Sequence, residues 1–359
     1  MLSPTIFFFH ELTKSLNTDT DTDTDTDTDT DTKPKKDAHH IVQTNFLVMN
    51  ELAIADKIRK LNAHEYYHLF YIFDTAEHLK ISENNSLNSN TNILKSISTR
   101  LLLTFEKCEL MYLDLYLKSL SCSKKYIKQL IEFYRSLLKT IHLLVSNDLI
   151  HNNINFNTIA INLAVDKPLL TNFSYTIDLL NKTFFKEDYW PQYFLLKKIN
   201  VFSPVEFYLL QYQLTNKSGD GCLSLYNIET VLKQFIKDHS ILGSFSTTLL
   251  LNDGLKYFTK YVNKSFNTNL LEALKYAFTW DNYALSIAYL EILIGLYRSI
   301  SAKNENTNNK FIISFMKLLV NNISLDPSKR SLTNLSLSLF EDMVQTISIK
   351  DYQELIDAL

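Results

Sequence analysis

The chain has 359 residues, of which 46% are hydrophobic and 13% aromatic, so its composition allows a large buried core. The formal net charge is −3, and leaving out the seven Asp of the repeat Thr18–Thr32 gives −3 + 7 = +4. A balance this mild argues against nucleic-acid binding as the main activity.

The cysteines and the apolar runs indicate the compartment. Cys108, Cys122 and Cys222 are scattered, and their spacing fits neither a zinc site nor a disulfide framework, so we expect a reducing compartment. The longest apolar runs fall short of a membrane span. Ile6–Phe9 is too short for the core of a signal peptide. We therefore expect a soluble cytoplasmic protein that does not bind a membrane.

Residues 1–37 are predicted to be disordered. The repeat Thr18–Thr32 alternates Thr and Asp strictly, and seven like charges without an apolar residue cannot bury a face. Lys33–Lys36 then brings positive charge. The alternative interpretation of the repeat is a tail that binds divalent cations, but it lacks the fixed geometry that tight Ca²⁺ sites need.

Residues 38–108 are predicted to contain strands and one helix. Ile41–Met49 is apolar and partly β-branched, which is typical of a strand that runs into a helix. From Asn50 to Phe73 the apolar spacing is helical. Ser82–Ser98 is polar and indicates a loop, and Arg100–Glu106 indicates a buried strand.

Two helices and a hairpin are predicted next. The helices cover Leu113–Leu120 and Tyr126–Val145, and the second has an apolar stripe and a polar stop after it. The apolar runs Thr158–Leu163 and Pro168–Leu170 flank a short turn, which predicts a β-hairpin. A polar tripeptide lies beside each end of this hairpin, where a scaffold can hold reactive groups.

The rest of the chain is predicted to be mostly helical. Helical spacing is found in Phe207–Leu214, in Ile228–Ile236 and in Leu270–Phe278. A long apolar helix begins near Trp280. Residues 346–359 are interpreted as a C-terminal tail.

Several of these segments carry motifs that resemble those of the protein kinase family. The tripeptides beside the hairpin resemble the catalytic loop H-R-D-L and the metal-binding turn D-F-G. Three further segments resemble A-P-E, the D-x-W-S-L-G helix and the closing D-P-x-x-R. In order, the matching stretches are His151–Ile154, Asn172–Ser174, Ser203–Glu206, Trp280–Leu293 and Asp326–Arg330.

The resemblance covers about residues 100–340 and implies an α+β, two-lobed protein kinase-like fold. It assigns residues 38–108 to a reduced or divergent N-lobe. It assigns residues 109–345 to a mostly helical C-lobe with a helical insertion at about 215–278. The insertion and the variant helix motif are similar to kinase-like proteins of large DNA viruses, which would place the protein in the host cytoplasm or the virion.

The resemblance also assigns the chemical positions, and neutral residues occupy them. The catalytic Asp falls on Asn153 and the catalytic-loop Lys on Asn155. The metal-binding Asn and Asp fall on Thr158 and Asn172. An amide is no general base, and Mg²⁺ in such sites is bound by carboxylates and phosphates. The resemblance therefore implies impaired phosphoryl transfer and no bound cofactor.

The residues that would bind the ATP phosphates also differ from the kinase pattern. Glu51 takes the position of the kinase αC glutamate, which pairs with a strand Lys that holds ATP phosphates. The candidate partners Lys33, Lys35 and Lys36 lie in a polar segment, and the helix dipole alone also favours Glu at a helix start. All five glycines lie at Gly219 or later, so no Gly-rich phosphate loop precedes that position.

Other positions are expected to be architectural. The resemblance packs His151 beneath Phe173, lets Asp281 cap the backbone of the catalytic loop, and pairs Arg330 with Glu206. An ordinary helix N-cap is the alternative interpretation of Asp281. The sequence therefore keeps groups that hold a C-lobe together.

Three functions stay open. The first is a pseudokinase scaffold that binds protein partners, with neither nucleic acid nor membrane involved. The second is a divergent serine/threonine kinase that uses ATP, Mg²⁺ and another carboxylate such as Asp148, Asp166 or Asp178. The third is a helical interaction protein without nucleotide binding, which a structure lacking a hairpin between His151 and Asn172 would favour.

Overall fold

A computed structural model describes residues 38–61, 69–79, 100–106, 108–120, 124–181, 189–216, 221–242, 246–303 and 309–358. The fold is α+β, as predicted, with small sheets in the N-terminal part and a mostly helical C-terminal region. The predicted disordered segment 1–37 and the predicted loop Ser82–Ser98 lie outside the described residues.

The described residues contain nine strands and twelve α-helices. The strands are β1 (Ala38–Gln43), β2 (Phe70–Tyr71), β3 (Thr75–Leu79), β4 (Arg100–Phe105), β5 (Leu110–Tyr112), β6 (Leu149–Ile150), β7 (Ile159–Asn162), β8 (Lys167–Thr171) and β9 (Ile177–Asp178). The helices are α1 (Phe46–Lys60), α2 (Leu113–Ser119), α3 (Lys124–Val145), α4 (Tyr189–Leu196), α5 (Val205–Thr215), α6 (Leu225–Asp238), α7 (Thr247–Phe258), α8 (Phe266–Leu274), α9 (Trp280–Lys303), α10 (Lys310–Asn322), α11 (Thr333–Thr346) and α12 (Ile349–Ala358).

The strands form three sheets. The first has the order β1-β4-β3 and is antiparallel, with Ile41 opposite Leu102 and Ala76 opposite Leu103. The second has the order β2-β8-β7-β5, and the third pairs β6 with β9. In the second sheet β2 runs parallel to β8, while the other pairs are antiparallel.

Helix α1 is shorter than predicted. It begins after Asn45, whose side chain accepts a hydrogen bond from the Val48 N–H at 3.0 Å, as an N-cap does. The predicted helix extends to Phe73, but the observed one ends at Lys60. Phe70 instead lies in β2, where it is buried and pairs with Leu170 of β8. Pairing with a distant strand therefore decides the conformation of this aromatic stretch.

The predicted hairpin is present as β7 and β8. Ile159 lies opposite Leu170 and Ile161 opposite Pro168. The turn contains Asp166 in a left-handed conformation, with φ of 52°. Its carboxylate accepts a hydrogen bond from the Tyr116 hydroxyl at 2.6 Å, which ties the turn to α2.

Helix α3 forms the centre of the hydrophobic core. It has the predicted apolar stripe, and the side chains of that stripe are buried: Ile127, Leu130, Phe133, Leu137, Ile141 and Leu144. The helix packs against α11 and against β8. The helix therefore fixes the position of the hairpin relative to the C-terminal helices.

Helix α9 bears on the membrane expectation. The stretch Ala277–Ser301 is long and apolar enough to cross a membrane, with a mean hydropathy of 1.3, so the expectation that every apolar run is too short was wrong. However, 56% of its most apolar window is buried inside the protein. Every residue of Trp280–Leu290 is buried. A buried core helix passes the same test of length and composition, so this is weak evidence for a membrane span.

The region around 215–278 contains α6, α7 and α8. A parallel bridge joins Leu223 to Val262, so the segments that flank α6 and α7 meet. The Gln213 side chain donates to the carbonyls of Gly221 and Lys264, both at 2.9 Å, which ties the region to α5. The helix predicted over Leu270–Phe278 ends earlier, at Leu274, and a short 3₁₀ turn follows.

The predicted C-terminal tail is largely a helix. Helix α12 contacts α10, and its Leu355 is fully buried. The short amphipathic segment becomes helical because it can bury one face against the core.

The Leu355→Ala substitution is therefore expected to lower the free energy of unfolding by about 2–5 kcal/mol, the range for a buried leucine. The measurement is urea unfolding followed by circular dichroism. Ile349 lies in the same helix but is 88% exposed, so Ile349→Ala is the matched control and is expected to change little. Equal effects of the two substitutions would contradict a docked C-terminal helix.

Candidate functional site

The stretch His151–Thr158, here called the polar loop, is held by a buried carboxylate. The backbone N–H groups of His151 and Asn152 donate to the two oxygens of Asp281, each at 2.7 Å. Asp281 lies in the first turn of α9 and is 1% exposed. Burial raises its pKa to about 6, and the two amide hydrogen bonds and the nearby Lys197 oppose that rise.

The side chain of His151 packs on Phe173. The two ring centroids are 4.7 Å apart at an interplanar angle of 76°, which is an edge-to-face arrangement. The Nε2 atom lies 3.1 Å from the Thr171 carbonyl oxygen. A carbonyl can only accept, so Nε2 carries the hydrogen. Burial lowers the pKa of His151 to about 3, so the ring is neutral at ordinary pH. Its Nδ1 atom is buried without a hydrogen-bond partner among the described residues.

The interior of the polar loop is closed by its own side chains. Thr158 Oγ1 donates to the Asn153 carbonyl at 2.6 Å and accepts from the Asn155 N–H at 3.0 Å. Asn155 Nδ2 donates to the same Asn153 carbonyl at 2.8 Å, and Asn155 Oδ1 accepts from the Asn157 N–H at 2.8 Å. Asn155 Nδ2 also lies 3.4 Å from Asn153 Oδ1, so all three uncharged side chains at the predicted chemical positions of this loop are hydrogen-bonded within the loop.

The turn that begins at Asn172 is closed in a similar way. Asn172 has a left-handed backbone, with φ of 60°, a conformation that Asn tolerates better than most residues. Its Oδ1 atom accepts a hydrogen bond from the Ser174 hydroxyl at 2.6 Å. The side chain at the predicted metal position is thus engaged with its own turn.

Helix α1 forms hydrogen bonds with this turn. Glu51 Oε1 accepts from the Phe173 N–H at 3.2 Å. Asn50 Nδ2 donates to the carbonyls of Ser174 and Thr176 at 2.9 and 2.8 Å. Further along the same helix, Lys57 forms an ion pair with Asp178.

Glu51 has an unusual electrostatic position. Burial raises its pKa to about 7, and the hydrogen bond from Phe173 only partly offsets this. The strand that precedes α1 reads Ala-His-His-Ile-Val-Gln and contains no lysine. The candidate partners Lys33, Lys35 and Lys36 lie outside the described residues.

A second buried charged group lies beside α9. Arg330 Nη1 and Nη2 donate to the two carboxylate oxygens of Glu206, each at 2.8 Å, and both side chains are fully buried. Trp280 Nε1 also donates to Glu206, at 3.0 Å. The Arg330 guanidinium lies over the Tyr283 ring, 4.9 Å from its centroid. Since Trp280 precedes Asp281, this pair fixes the helix end that caps the polar loop.

The structure thus joins most of the predicted site residues by direct contacts. Glu51 contacts Phe173, Phe173 packs on His151, and Asp281 holds the amides of His151 and Asn152. The carboxylates that the sequence offered as substitutes take no part in these contacts. Asp166 pairs with Lys125 at 3.1 Å. Asp178 pairs with Lys57, and Asp148 lies in the left-handed turn after α3.

Sequence reasoning missed Lys197, Asn50 and Lys57. Lys197 is buried and donates to the Asn152 carbonyl, although it follows an aromatic segment with no motif of its own. Asn50 and Lys57 lie seven positions apart on α1, and this helical spacing could have placed them on one face. No sequence signal indicated what that face would contact.

Neither a metal site among the described residues nor a match to known proteins indicates what this site does. Within the described ranges, no group of three or more His, Cys, Asp and Glu side chains is arranged to hold a metal ion. No protein-family model matches the chain, and no curated protein matches it significantly.

The Glu206→Gln substitution is expected to destabilise the protein by about 3–5 kcal/mol, because it leaves the Arg330 cation buried without its charge partner. Urea unfolding measures the loss. The double variant Glu206→Gln with Arg330→Met removes both charges and is expected to recover part of it. The exposed pair Glu229–Lys233 is the matched control, and Lys233→Met there is expected to change stability by less than about 0.5 kcal/mol. A Glu206→Gln variant as stable as the wild type would show that the Glu206–Arg330 pair does not stabilise the fold.

The raised pKa of Glu51 predicts a pH dependence. Its usual pKa is 4.5 and its folded pKa about 7, so between these values the folded protein binds more protons than the unfolded chain. The stabilising contribution is therefore complete below pH 4.5 and is lost as pH rises towards 7. The Glu51→Gln variant keeps the acceptor for the Phe173 N–H but cannot titrate.

Urea unfolding of the wild type and of Glu51→Gln at half-unit steps from pH 4.5 to 7.5 tests this prediction. The difference in stability between the two proteins is expected to shift steadily in favour of the variant as pH rises. A constant difference over this range would show that Glu51 has an ordinary pKa.

Proposed function

We propose that this chain is a catalytically impaired protein kinase-like scaffold, a pseudokinase, which acts by binding protein partners. The observation that carries the proposal is the polar loop, whose backbone is fixed by Asp281 while Asn155 and Thr158 bond within the loop. A kinase places its catalytic Asp and Lys at the positions of Asn153 and Asn155, and a metal-binding Asn at the position of Thr158.

The framework supports a kinase-like two-lobed fold. The family holds its catalytic loop with the Asp of the D-x-W motif and its C-lobe with a Glu–Arg pair, and the corresponding residues here are Asp281, Glu206 and Arg330. All three are buried and hydrogen-bonded. Charges persist in a protein interior only when they are satisfied in this way.

The chemistry of the loops supports the absence of phosphoryl transfer. Catalysis of this reaction depends almost entirely on the placement of charge around the phosphates. Asn153 cannot take a proton from a hydroxyl. Asn172 and Thr158 are neutral, so they supply no carboxylate for Mg²⁺.

The residues expected to bind nucleotide also support the absence of phosphoryl transfer. The strand before α1 has no lysine to pair with Glu51, and glycine is absent from the chain before Gly219. Glu51 instead bonds to the Phe173 backbone. The proposed scaffold therefore has no need of ATP or Mg²⁺.

A divergent active kinase is the second candidate, and Glu51 is the observation that favours it. Its carboxylate touches the turn that begins at Asn172, so a carboxylate is present near the predicted metal position. Asp166 and Asp178, in contrast, have lysine partners of their own. The hairpin between His151 and Asn172 argues against a purely helical interaction protein.

The test is incubation of the purified full chain with radiolabelled ATP, Mg²⁺ or Mn²⁺, and generic protein substrates. We expect no transfer above the level of an Asn153→Ala variant, and no thermal shift with ATP–Mg²⁺ beyond that with Mg²⁺ alone. The measurements are incorporated label and the melting temperature by differential scanning fluorimetry.

Glu51→Gln serves as the control for the second candidate. Transfer by the wild type that is lost in both Asn153→Ala and Glu51→Gln would establish a divergent kinase and end the pseudokinase proposal. A thermal shift with ATP–Mg²⁺ but no transfer would leave a scaffold that binds nucleotide, and would overturn the statement that none is needed.

A further inference from the structure

Lys197 is a buried lysine without an ion-pair partner in the described part of the chain. Its side chain is 5% exposed, and no carboxylate of a described residue lies within 4.0 Å of Nζ. Lysine is almost never fully buried unless it is paired. A buried amine of this kind changes protonation readily, which is why such lysines are often functional.

The surroundings of Lys197 are aromatic. Its Nζ lies 5.0 Å from the centroid of the Phe207 ring, 5.4 Å from that of Tyr175 and 5.8 Å from that of Tyr193. These rings come from α5, from the turn after Asn172 and from α4. Cation–π attraction compensates part of the lost hydration of a charged amine.

The polar contact of Lys197 is with the polar loop. Nζ donates to the Asn152 carbonyl, while Asp281 accepts from the Asn152 N–H and Tyr193 Oη accepts from its side-chain amide. Asn152 has a left-handed backbone, with φ of 53°. Lys197, Asp281 and Tyr193 therefore all bond to Asn152 and fix its position.

We propose that Lys197 is a proton-sensitive latch that fastens the polar loop to the end of α4, so that protonation of its amine favours release of the loop. The latch does not rest on the proposed function, since a kinase or an interaction protein would contain the same contacts.

The direction follows from proton binding. Burial lowers the pKa of Lys197 from 10.5 to about 7, with Asp281 opposing. When the latch opens, the amine reaches water and regains its ordinary pKa. Between pH 7 and 10.5 the open form therefore binds one more proton than the closed form, so opening becomes rarer as pH rises.

Other titratable groups face Lys197, and their effects lie outside a window from pH 7.5 to 9.5. Asp281 has a pKa of about 6 when closed, and His151 one of about 3. Glu51, which contacts the neighbouring turn, titrates at about 7 or below. Burial raises the pKa of Tyr175 and Tyr193 above the usual 10, so these phenols stay protonated throughout the window while the latch is closed.

The test is amide hydrogen–deuterium exchange on the full chain at pH 7.5, 8.5 and 9.5, corrected for intrinsic rates and read by mass spectrometry. Peptides over His151–Thr158 report the latch, and peptides over Leu130–Ile141 in α3 report global unfolding. The opening constant of the loop is expected to fall by up to about tenfold per pH unit in the wild type.

The Lys197→Met variant keeps the length and the apolar stem of the side chain but cannot titrate, so its loop opening is expected to be independent of pH in this window. Lys198 is exposed and adjacent, so Lys198→Met is the matched control and should behave as the wild type. If Lys197→Met does not fold, a wild-type slope confined to the loop peptides supports the latch, and a flat wild-type profile overturns it.

Three results would overturn the latch. Loop opening in the wild type could be independent of pH, or the slope could survive in Lys197→Met. Loop amides could also exchange only with the α3 amides, which would make Lys197 a part of the global core rather than a local device.

Discussion

The carboxylate of Asp281 is the group on which the arrangement of the loops depends. It is buried, so it must be compensated, and the two amides of the polar loop provide that compensation at 2.7 Å. The carboxylate cannot move without leaving the amides unsatisfied, and neither can the loop. The Glu206–Arg330 pair holds the adjacent Trp280, so the helix end that presents Asp281 is itself fixed.

Charged residues lie in the buried framework around the loops, whereas the polar loop and the Asn172 turn are mostly uncharged. The framework contains Asp281, Glu206, Arg330 and Lys197, each buried and hydrogen-bonded. The polar loop and the Asn172 turn contain amides and hydroxyls that bond to their own backbone or to each other. Such local bonds fix a conformation without creating a strong field. This separation supports the proposed scaffold, because catalysis of phosphoryl transfer depends on charge placed around the phosphates.

The sequence predicts the parts of the structure that depend on local pattern. The hairpin follows from two apolar runs around a turn, and α3 from a strong helical stripe. The resemblance to kinase motifs also implies that Arg330 pairs with Glu206, a contact that the structure contains. The early end of α1, the helix in the predicted tail and the burial of Lys197 were not predictable, because each depends on distant neighbours that a local window does not contain.

The polar loop is held by contacts within the chain. The amides of His151 and Asn152 donate to Asp281, Asn155 and Thr158 bond within the loop, and Asn50 and Glu51 of α1 bond to the adjoining turn. The entropy of ordering these segments is therefore lost during folding rather than on binding. A partner that docks on a preformed surface keeps more of its contact energy as affinity, since less ordering remains to be done. The hydrogen bonds within the loops are thus the physical basis of the proposal that this chain acts as a scaffold.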